Sequence, residues 1–200
     1  KKYANFDRRK KCLSCNKNNL TEILDLGFHS FADRFVKKKD LKKKDPCYPL
    51  VLDLCKKCNF VQSKYKTDPK DRYFNYDYSY TSSNSKYSIN HWKKYADNLD
   101  RHFNLKNKNI IEIGSNDGLL SFFIKQKAKE VISIDASPFM VKLAKQKKLK
   151  SYCYIFNFEN SKKIKKISGR ADIIIANNVF NHADNPKNFL KGIKNLLKKD

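Results

Sequence analysis

Residues 109–118 read N-I-I-E-I-G-S-N-D-G, and the reading of this stretch decides the fold. Ile110, Ile111 and Ile113 suit a short buried parallel strand, and Gly114 stands where that strand must turn sharply into a helix. Gly114 and Gly118 let backbone approach a ligand closely, and a helix opening near Leu119 presents free N–H groups to it. Alone, such a turn is as compatible with plain architecture as with nucleotide binding. A second strand shifts the balance. Val131, Ile132 and Ile134 are apolar and β-branched, and Asp135 follows them, one β-α-β half-unit after Glu112. A carboxylate at that point accepts hydrogen bonds from both hydroxyls of a ribose. Dinucleotide-binding sheets carry G-x-G-x-x-G, whereas the order here is Glu112, Gly114, Asn116, Gly118. Asn116 is of a residue type that tolerates positive φ.

The stretches on the C-terminal side repeat the alternation. Leu119, Leu120, Phe123 and Ile124 mark a core-facing helix, and Ser137 with Pro138 is an N-cap and first turn leading into Met140, Val141 and Ala144. Residues 152–156 are a third apolar run, followed by Asn157 and Phe158. Residues 171–176 are a fourth, ending in Asn177, Asn178 and Val179 and continuing to His182. Asn185 and Pro186 then open a helix with Phe189, Leu190, Ile193, Leu196 and Leu197 on one face. Strand alternating with helix predicts a doubly wound, Rossmann-like α/β sheet, and ligands of such sheets sit beyond the carboxyl ends of the strands. Gly114, Asp135, Asn157, Asn177 and His182 all fall at such ends.

On the N-terminal side, Trp92, Tyr95, Ala96, Leu99 and Phe103 recur at helical spacing, with His91 near the start of the helix as a polar surface residue or a substrate-facing one. Before it, Tyr73, Tyr76, Tyr78 and Tyr80 crowd into eight residues and run into Thr81, Ser82 and Ser83. This run reads either as an edge strand or as a tyrosine-lined wall that stacks on a sugar or base.

Cys12 and Cys15, and Cys55 and Cys58, are two C-x-x-C knuckles, each followed by an asparagine that suits a sharp turn. Two such pairs clamp one tetrahedral ion in a closed, structural shell, and zinc is the ion such thiolates favour. Two disulfides or a redox pair are the rivals. The absence of a visible secretion signal and the unpaired Cys47 and Cys153 favour a reducing, cytoplasmic setting and so the metal. His29 and Cys47 lie between the knuckles without a metal role assigned to them. So small a unit needs its metal to stay folded.

Two hundred residues with 40% hydrophobic content suffice for one or two globular domains, and no run approaches a membrane span. The net charge of +24 invites nucleic acid, but 38 of the 44 basic residues are lysine and are spread through every segment. Scarce arginine weakens that reading, and a solvated basic surface accounts for the charge.

Taken together, the four cysteines, Y-x-Y-x-S-S at residues 78–83, His91, E-I-G-S-N-D-G, A-D-x-I-x-A-N-N-V and the following His182 resemble the deoxysugar C-methyltransferases. The resemblance implies a class I S-adenosylmethionine (SAM) methyltransferase sheet with a small N-terminal zinc-binding domain: residues 1–62 for zinc, 63–104 as a Tyr-rich bridge and linking helix, 105–200 for SAM. The activity it implies is methylation of a carbon beside the keto group of a nucleotide-linked deoxysugar, with no membrane or nucleic-acid partner. Carried onto this chain, Glu112, Gly114, Ser115, Asn116, Asp117, Gly118, Asp135, Ala136, Asn157, Phe158, Asn177 and Asn178 hold the cofactor. Cys12, Cys15, Cys55 and Cys58 hold the metal. His182, Tyr78, Tyr80 and His91 are the catalytic candidates, although His182 is also readable as a polar residue flanking a helix. It implies as well that the chain stops short of a C-terminal domain contributing further catalytic groups. An RNA or protein methyltransferase and a non-catalytic zinc-containing interaction protein are the alternatives.

Overall fold

The strand-rich first third and the strand–helix alternation that follows fold, in the computed structural model, as two units: Lys1–Ser79 with Asp184–Lys187, and Tyr80–Ala183 with Asn188–Asp200. Residues 2–3, 5–32, 36, 38, 41–74 and 80–199 are described. Among them no helix is long and apolar enough to cross a membrane.

The first unit contains β1 (Lys2–Tyr3), β2 (Phe6–Arg8), β3 (Leu20–His29), β4 (Pro46–Cys55), β5 (Val61–Ser63), β6 (Tyr65–Thr67) and α1 (Pro69–Tyr73). β4 is its centre, parallel to β1 and antiparallel to β3 and β5, while β2 and β6 form a separate antiparallel pair. Tyr48, Val51, Asp53 and Cys55 of β4 turn inward, the alternation shifting by one residue between Tyr48 and Val51 where the register with β3 also shifts, whereas β3 is exposed along most of its length. Asp68 caps α1 through the Lys70 N–H at 2.9 Å, so Tyr73 ends a helix rather than opening an edge strand.

The first helix of the second unit is α2 (Lys86–Phe103), capped by Ser85. There follow β7 (Asn109–Ile113), α3 (Leu119–Lys125), β8 (Glu130–Asp135), α4 (Pro138–Gln146), β9 (Lys150–Cys153), α5 (Phe158–Ser168), β10 (Ile173–Ile175), a 3-10 turn (Phe180–His182) and α6 (Pro186–Leu196). The sheet order is β9-β8-β7-β10, all parallel. The chain winds outward from β7 to β9 and then returns to the other side of β7, which places the topological switch between β7 and β10. Both faces are covered. Ile111, Ile113, Ile132 and Ile134 pack with Ile164, Phe189 and Leu196 on one side, and Ile110, Val131 and Ile175 pack with Ala96, Leu105, Leu120 and Ile124 on the other.

Two strands differ from the sequence expectation. The third ends at Cys153, where the Tyr154 N–H makes the last ladder bond to the Asp135 carbonyl at 2.9 Å, and Asn157 then caps α5. The fourth is only Ile173–Ile175. Ala171 pairs with Leu197 instead, and the Asp172 carboxylate is taken by the Asn109 N–H and Lys198.

Candidate functional site

The turn after β7 rests on three left-handed residues, Gly114, Asn116 and Gly118, with φ of 70°, 53° and 78°. Glycine adopts this region freely and asparagine tolerates it. Space adds a second requirement: a Cβ on Gly114 would meet Val179 Cγ2 at 2.5 Å, and one on Gly118 would meet Leu149 Cδ1 at 2.5 Å. The N–H groups of Gly114 and Ser115 both reach the Ile134 carbonyl, at 2.7 and 3.0 Å, which fastens the turn to β8.

Asp135 closes β8 against this turn. Its Oδ2 accepts the Asn116 N–H at 2.7 Å and its Oδ1 the Ser137 N–H at 2.8 Å, leaving lone pairs on both oxygens. Burial outweighs these donors and pushes the carboxyl up to about 6. Glu112 faces α3, where it accepts the Ser121 hydroxyl at 2.5 Å, and Ser121 in turn accepts that of Ser133 at 2.8 Å. Burial pushes Glu112 up to about 7.

The remaining cofactor candidates lie at the other strand ends. The Ala136 carbonyl receives the Cys153 thiol at 3.4 Å. Asn157 caps α5 by accepting the Asn160 N–H at 2.7 Å, and the Phe158 N–H donates to Asn188 Oδ1 at 2.7 Å. Beyond β10, Asn177 Oδ1 accepts the Tyr95 hydroxyl at 3.2 Å, and Asn178 is left-handed with φ 52°. Ser115 Oγ, Asp117 Oδ1 and Asn177 Nδ2 are buried with no hydrogen-bond partner among the described residues. Buried polar atoms are rarely left so. A hydroxyl, a carboxylate oxygen and an amide N–H at the ends of β7 and β10 suit a ligand with ammonium and carboxylate groups, as the methionine end of SAM has.

Among the catalytic candidates, His182 is exposed in the 3-10 turn, with Nε2 3.4 Å from Asn181 Nδ2. His91 is exposed on α2, edge-on to Trp92 at 5.0 Å, and Tyr80 is exposed. Tyr78 lies outside the described residues.

Sequence reasoning missed what holds residues 80–83. Asn116 Oδ1 accepts the Ser82 N–H at 2.8 Å, and Asn116 Nδ2 donates to the Tyr80 carbonyl at 2.9 Å. Asp117 Oδ2 accepts the Ser83 hydroxyl and the Lys147 ammonium, the latter at 3.0 Å. Nothing local distinguishes Lys147 from the other lysines in the sequence.

In the first unit the four knuckle sulfurs lie within 4.8 Å of one another. Cys12 Sγ is 3.6 Å from Cys58 Sγ, and Cys15 Sγ is 3.7 Å from Cys55 Sγ. A disulfide requires about 2.05 Å, whereas zinc–sulfur bonds of about 2.3 Å give a tetrahedron with edges of about 3.8 Å. All six cysteines are free, and the geometry fits one metal ion. Asn16 and Asn59 take φ of 63° and 57° and donate back to the Cys12 and Cys55 carbonyls at 2.9 and 2.8 Å. Burial of Cys55 opposes charge on its sulfur, but the N–H groups of Lys57 and Cys58 and the thiols of Cys15 and Cys58 hold it down to about 7. Against the Lys17 N–H, burial and the neighbouring thiols push Cys15 up to about 11. Gln62 of β5 is a further support that sequence reasoning missed. It accepts the Leu13 N–H at 2.8 Å and donates to the Lys11 carbonyl at 3.2 Å. His29 and Cys47 stand outside the cluster, His29 bonding the Leu26 carbonyl at 2.7 Å.

A parallel sheet ordered β9-β8-β7-β10, with a left-handed turn after its first strand and an acid ending its second, is Rossmann-like, and the match of these residues to a methyltransferase domain makes it the class I SAM-dependent methyltransferase fold. Residues 12–73 match a family model for a zinc binding domain, and residues 111–200 match one for a methyltransferase domain. The chain is 22% identical over 191 residues to the C-methyltransferase NovU of Streptomyces niveus, covering 95% of this chain and 45% of that protein. It is 36% identical over 74 residues to a protein of Methanocaldococcus jannaschii described as a protein N5-glutamine methyltransferase, covering 36% of this chain and 37% of that protein. The chain therefore spans less than half the length of these curated relatives. Among solved structures, magnesium protoporphyrin IX methyltransferase of Synechocystis PCC 6803 with bound SAM is similar at 18% identity and a TM-score of 0.44, over 55% of this chain and 54% of that one.

Proposed function

We propose that the full-length protein is a SAM-dependent C-methyltransferase acting on a nucleotide-linked keto-deoxysugar. The observation that carries this reading is the similarity to the Streptomyces niveus C-methyltransferase along 95% of the chain, cysteine module included. The reading divides the chain into a zinc domain at 1–62, a bridge at 63–104 and a SAM-binding domain from 105 onward, and its reduced cysteines suit the cytoplasm.

SAM would supply a methyl group on a sulfonium, and a carbon nucleophile would take that methyl with S-adenosylhomocysteine, the neutral thioether, as leaving group. In this reading Asp135 accepts the ribose hydroxyls, Asn157 and Phe158 border the adenine, and the turn at 114–118 brings backbone against the methionine portion. Asp117 and Asn177 face that portion's ammonium and carboxylate. Zinc keeps the cysteine module folded. The sugar carbon becomes nucleophilic when a proton α to its carbonyl is removed. His182 takes that proton, and Tyr80 donates a hydrogen bond to the enolate oxygen that results.

A second reading, methylation of a protein side chain, has the 36% identity over 74 residues in its favour. In that reading the cysteine module serves to dock the protein substrate.

Calorimetric titration of S-adenosylhomocysteine into the zinc-loaded full-length protein tests the cofactor site. Stoichiometric binding is expected, with a loss of more than about tenfold in Asp135→Ala, as removal of a charge-assisted hydrogen bond implies. Unchanged affinity in that variant overturns the ribose assignment, and no binding by the folded wild type favours an interaction protein. With SAM and thymidine-diphosphate-linked keto-deoxysugars, a new carbon-bound methyl group in the product NMR spectrum supports the sugar reading. Methyl transfer to protein amides instead replaces it.

A further inference from the structure

Position 116 needs only a residue that accepts φ of 53°, and glycine meets that need at no steric cost. The asparagine found there commits both polar atoms of its side chain to one short segment. Its Oδ1 takes the Ser82 N–H at 2.8 Å and its Nδ2 reaches the Tyr80 carbonyl at 2.9 Å, so a single amide spans Thr81 and holds it at both ends. The next residue continues the clasp. Asp117, 2% exposed, accepts the Ser83 hydroxyl on Oδ2, and Lys147 balances its charge while also bonding its carbonyl at 2.7 Å. The Asn116 backbone meanwhile donates to Asp135 at 2.7 Å. One residue thus holds the acid with its main chain and residues 80–83 with its side chain.

We propose that Asn116 and Asp117 are positioning residues that clasp residues 80–83 to the cofactor turn, so that cofactor occupancy orders this segment and sets Tyr80 in place. The proposal rests on the reading that the turn and Asp135 bind the cofactor. A ligand that fixes the 114–118 backbone and Asp135 fixes the base from which the clasp extends, and ordering of the clasp favours the ligand in return, since coupling is reciprocal. The competing account is static packing. Ser88 Oγ donates to the Ser82 carbonyl at 2.6 Å and anchors the segment to α2 whatever the turn does.

Amide hydrogen exchange of the zinc-loaded full-length protein separates the two, with and without S-adenosylhomocysteine. In the wild type, the ligand is expected to slow exchange of the Ser82 amide by about tenfold or more. Asn116→Gly keeps the left-handed turn and removes only the clasp. Ser82 then exchanges fast and no longer responds to ligand, and calorimetry shows affinity lower by roughly threefold to tenfold, about one neutral hydrogen bond. The Gly114 and Ser115 amides, bonded to Ile134, stay protected and report that the turn is intact. Ser83→Ala weakens the coupling, and Ser83→Thr, which keeps the hydroxyl, restores it. Ligand that binds the wild type without changing Ser82 exchange overturns the clasp and leaves the cofactor site standing, as does unaltered Ser82 protection in Asn116→Gly. Failure of the wild type to bind at all overturns both.

Discussion

Glu112 is a buried acid whose charge depends on whether the chain is folded. Its carboxyl is buried against Ser121, beside Asp135 and Asp117, and burial pushes it up to about 7 from 4.5. An acid raised on folding is protonated in the native state while the unfolded chain is already charged. Its contribution is therefore favourable at low pH and is lost as pH rises from about 4.5 to 7. The difference amounts to about 3 kcal/mol. Asp135, raised to about 6, acts with the same sign at lower pH. Glu112→Gln keeps the shape of the neutral acid and cannot ionise. Urea unfolding is expected to find wild type and variant within about 1 kcal/mol at pH 5, with the variant more stable at pH 8 by up to about 3 kcal/mol. Parallel stability profiles across that range would show that Glu112 ionises freely in the folded protein.

At the scale of elements, the join between β7 and α3 sets the shape of the site. Gly114 is left-handed and its missing Cβ leaves room for Val179 beyond β10, so one atom's absence lets two strand ends close together. Gly114→Ala should cost about 3 kcal/mol in urea unfolding, the sum of a left-handed alanine and an overpacked contact. Adding Val179→Ala removes the 2.5 Å contact with Cγ2 but keeps the Val179 Cβ at 2.9 Å, so it should return part of the steric share and leave the rest with the conformational cost of about 1–2 kcal/mol. Strict additivity of the two substitutions in a double-mutant cycle would mean that the two residues do not share space. This join was legible in the sequence because positive φ restricts residue type: Gly114, Asn116 and Gly118 mark the turn, as Asn16 and Asn59 mark the knuckles. The Ser137–Pro138 start of α4 was legible for a similar reason, a cap being a local chemical pattern. α5 left a weaker trace. One of its buried positions is Ser161, and Lys162, Lys163, Lys165 and Lys166 dominate its composition. The roles of Lys147 and Gln62 left none, because each depends on a partner that is remote in sequence, Asp117 and the backbone of Lys11 and Leu13. The strand ends near Cys153 and Ile173 left none either: Cys153 holds the last pair because its partner strand stops at Asp135, and the Asp172 carboxylate takes the Asn109 N–H, neither of which a hydrophobic period records.

Across the whole molecule, the two units owe their stability to different physics. The sheet of the second is packed on both faces by branched aliphatic side chains, which suffices for a core of its own. The first has little to bury. Its buried apolar side chains among the described residues include Tyr48 and Val51, but also Cys12 and Cys55, which are metal ligands on the geometry above, and β3 leaves Ile23, Leu24, Leu26 and Phe28 exposed. Where ligands double as core, metal binding is folding free energy. Removing zinc with a chelator should therefore melt one set of amides and spare the other. Hydrogen exchange should accelerate by about a hundredfold or more at Asn16, Cys55 and Asn59, whose N–H groups close the knuckles. Amides of β7 and β8 should keep their protection within a few-fold. Simultaneous loss in both sets would mean that the metal holds one cooperative structure together. Loss in neither would mean that β4 and its partner strands hold the first unit without the ion, and the structural role assigned to zinc would fall.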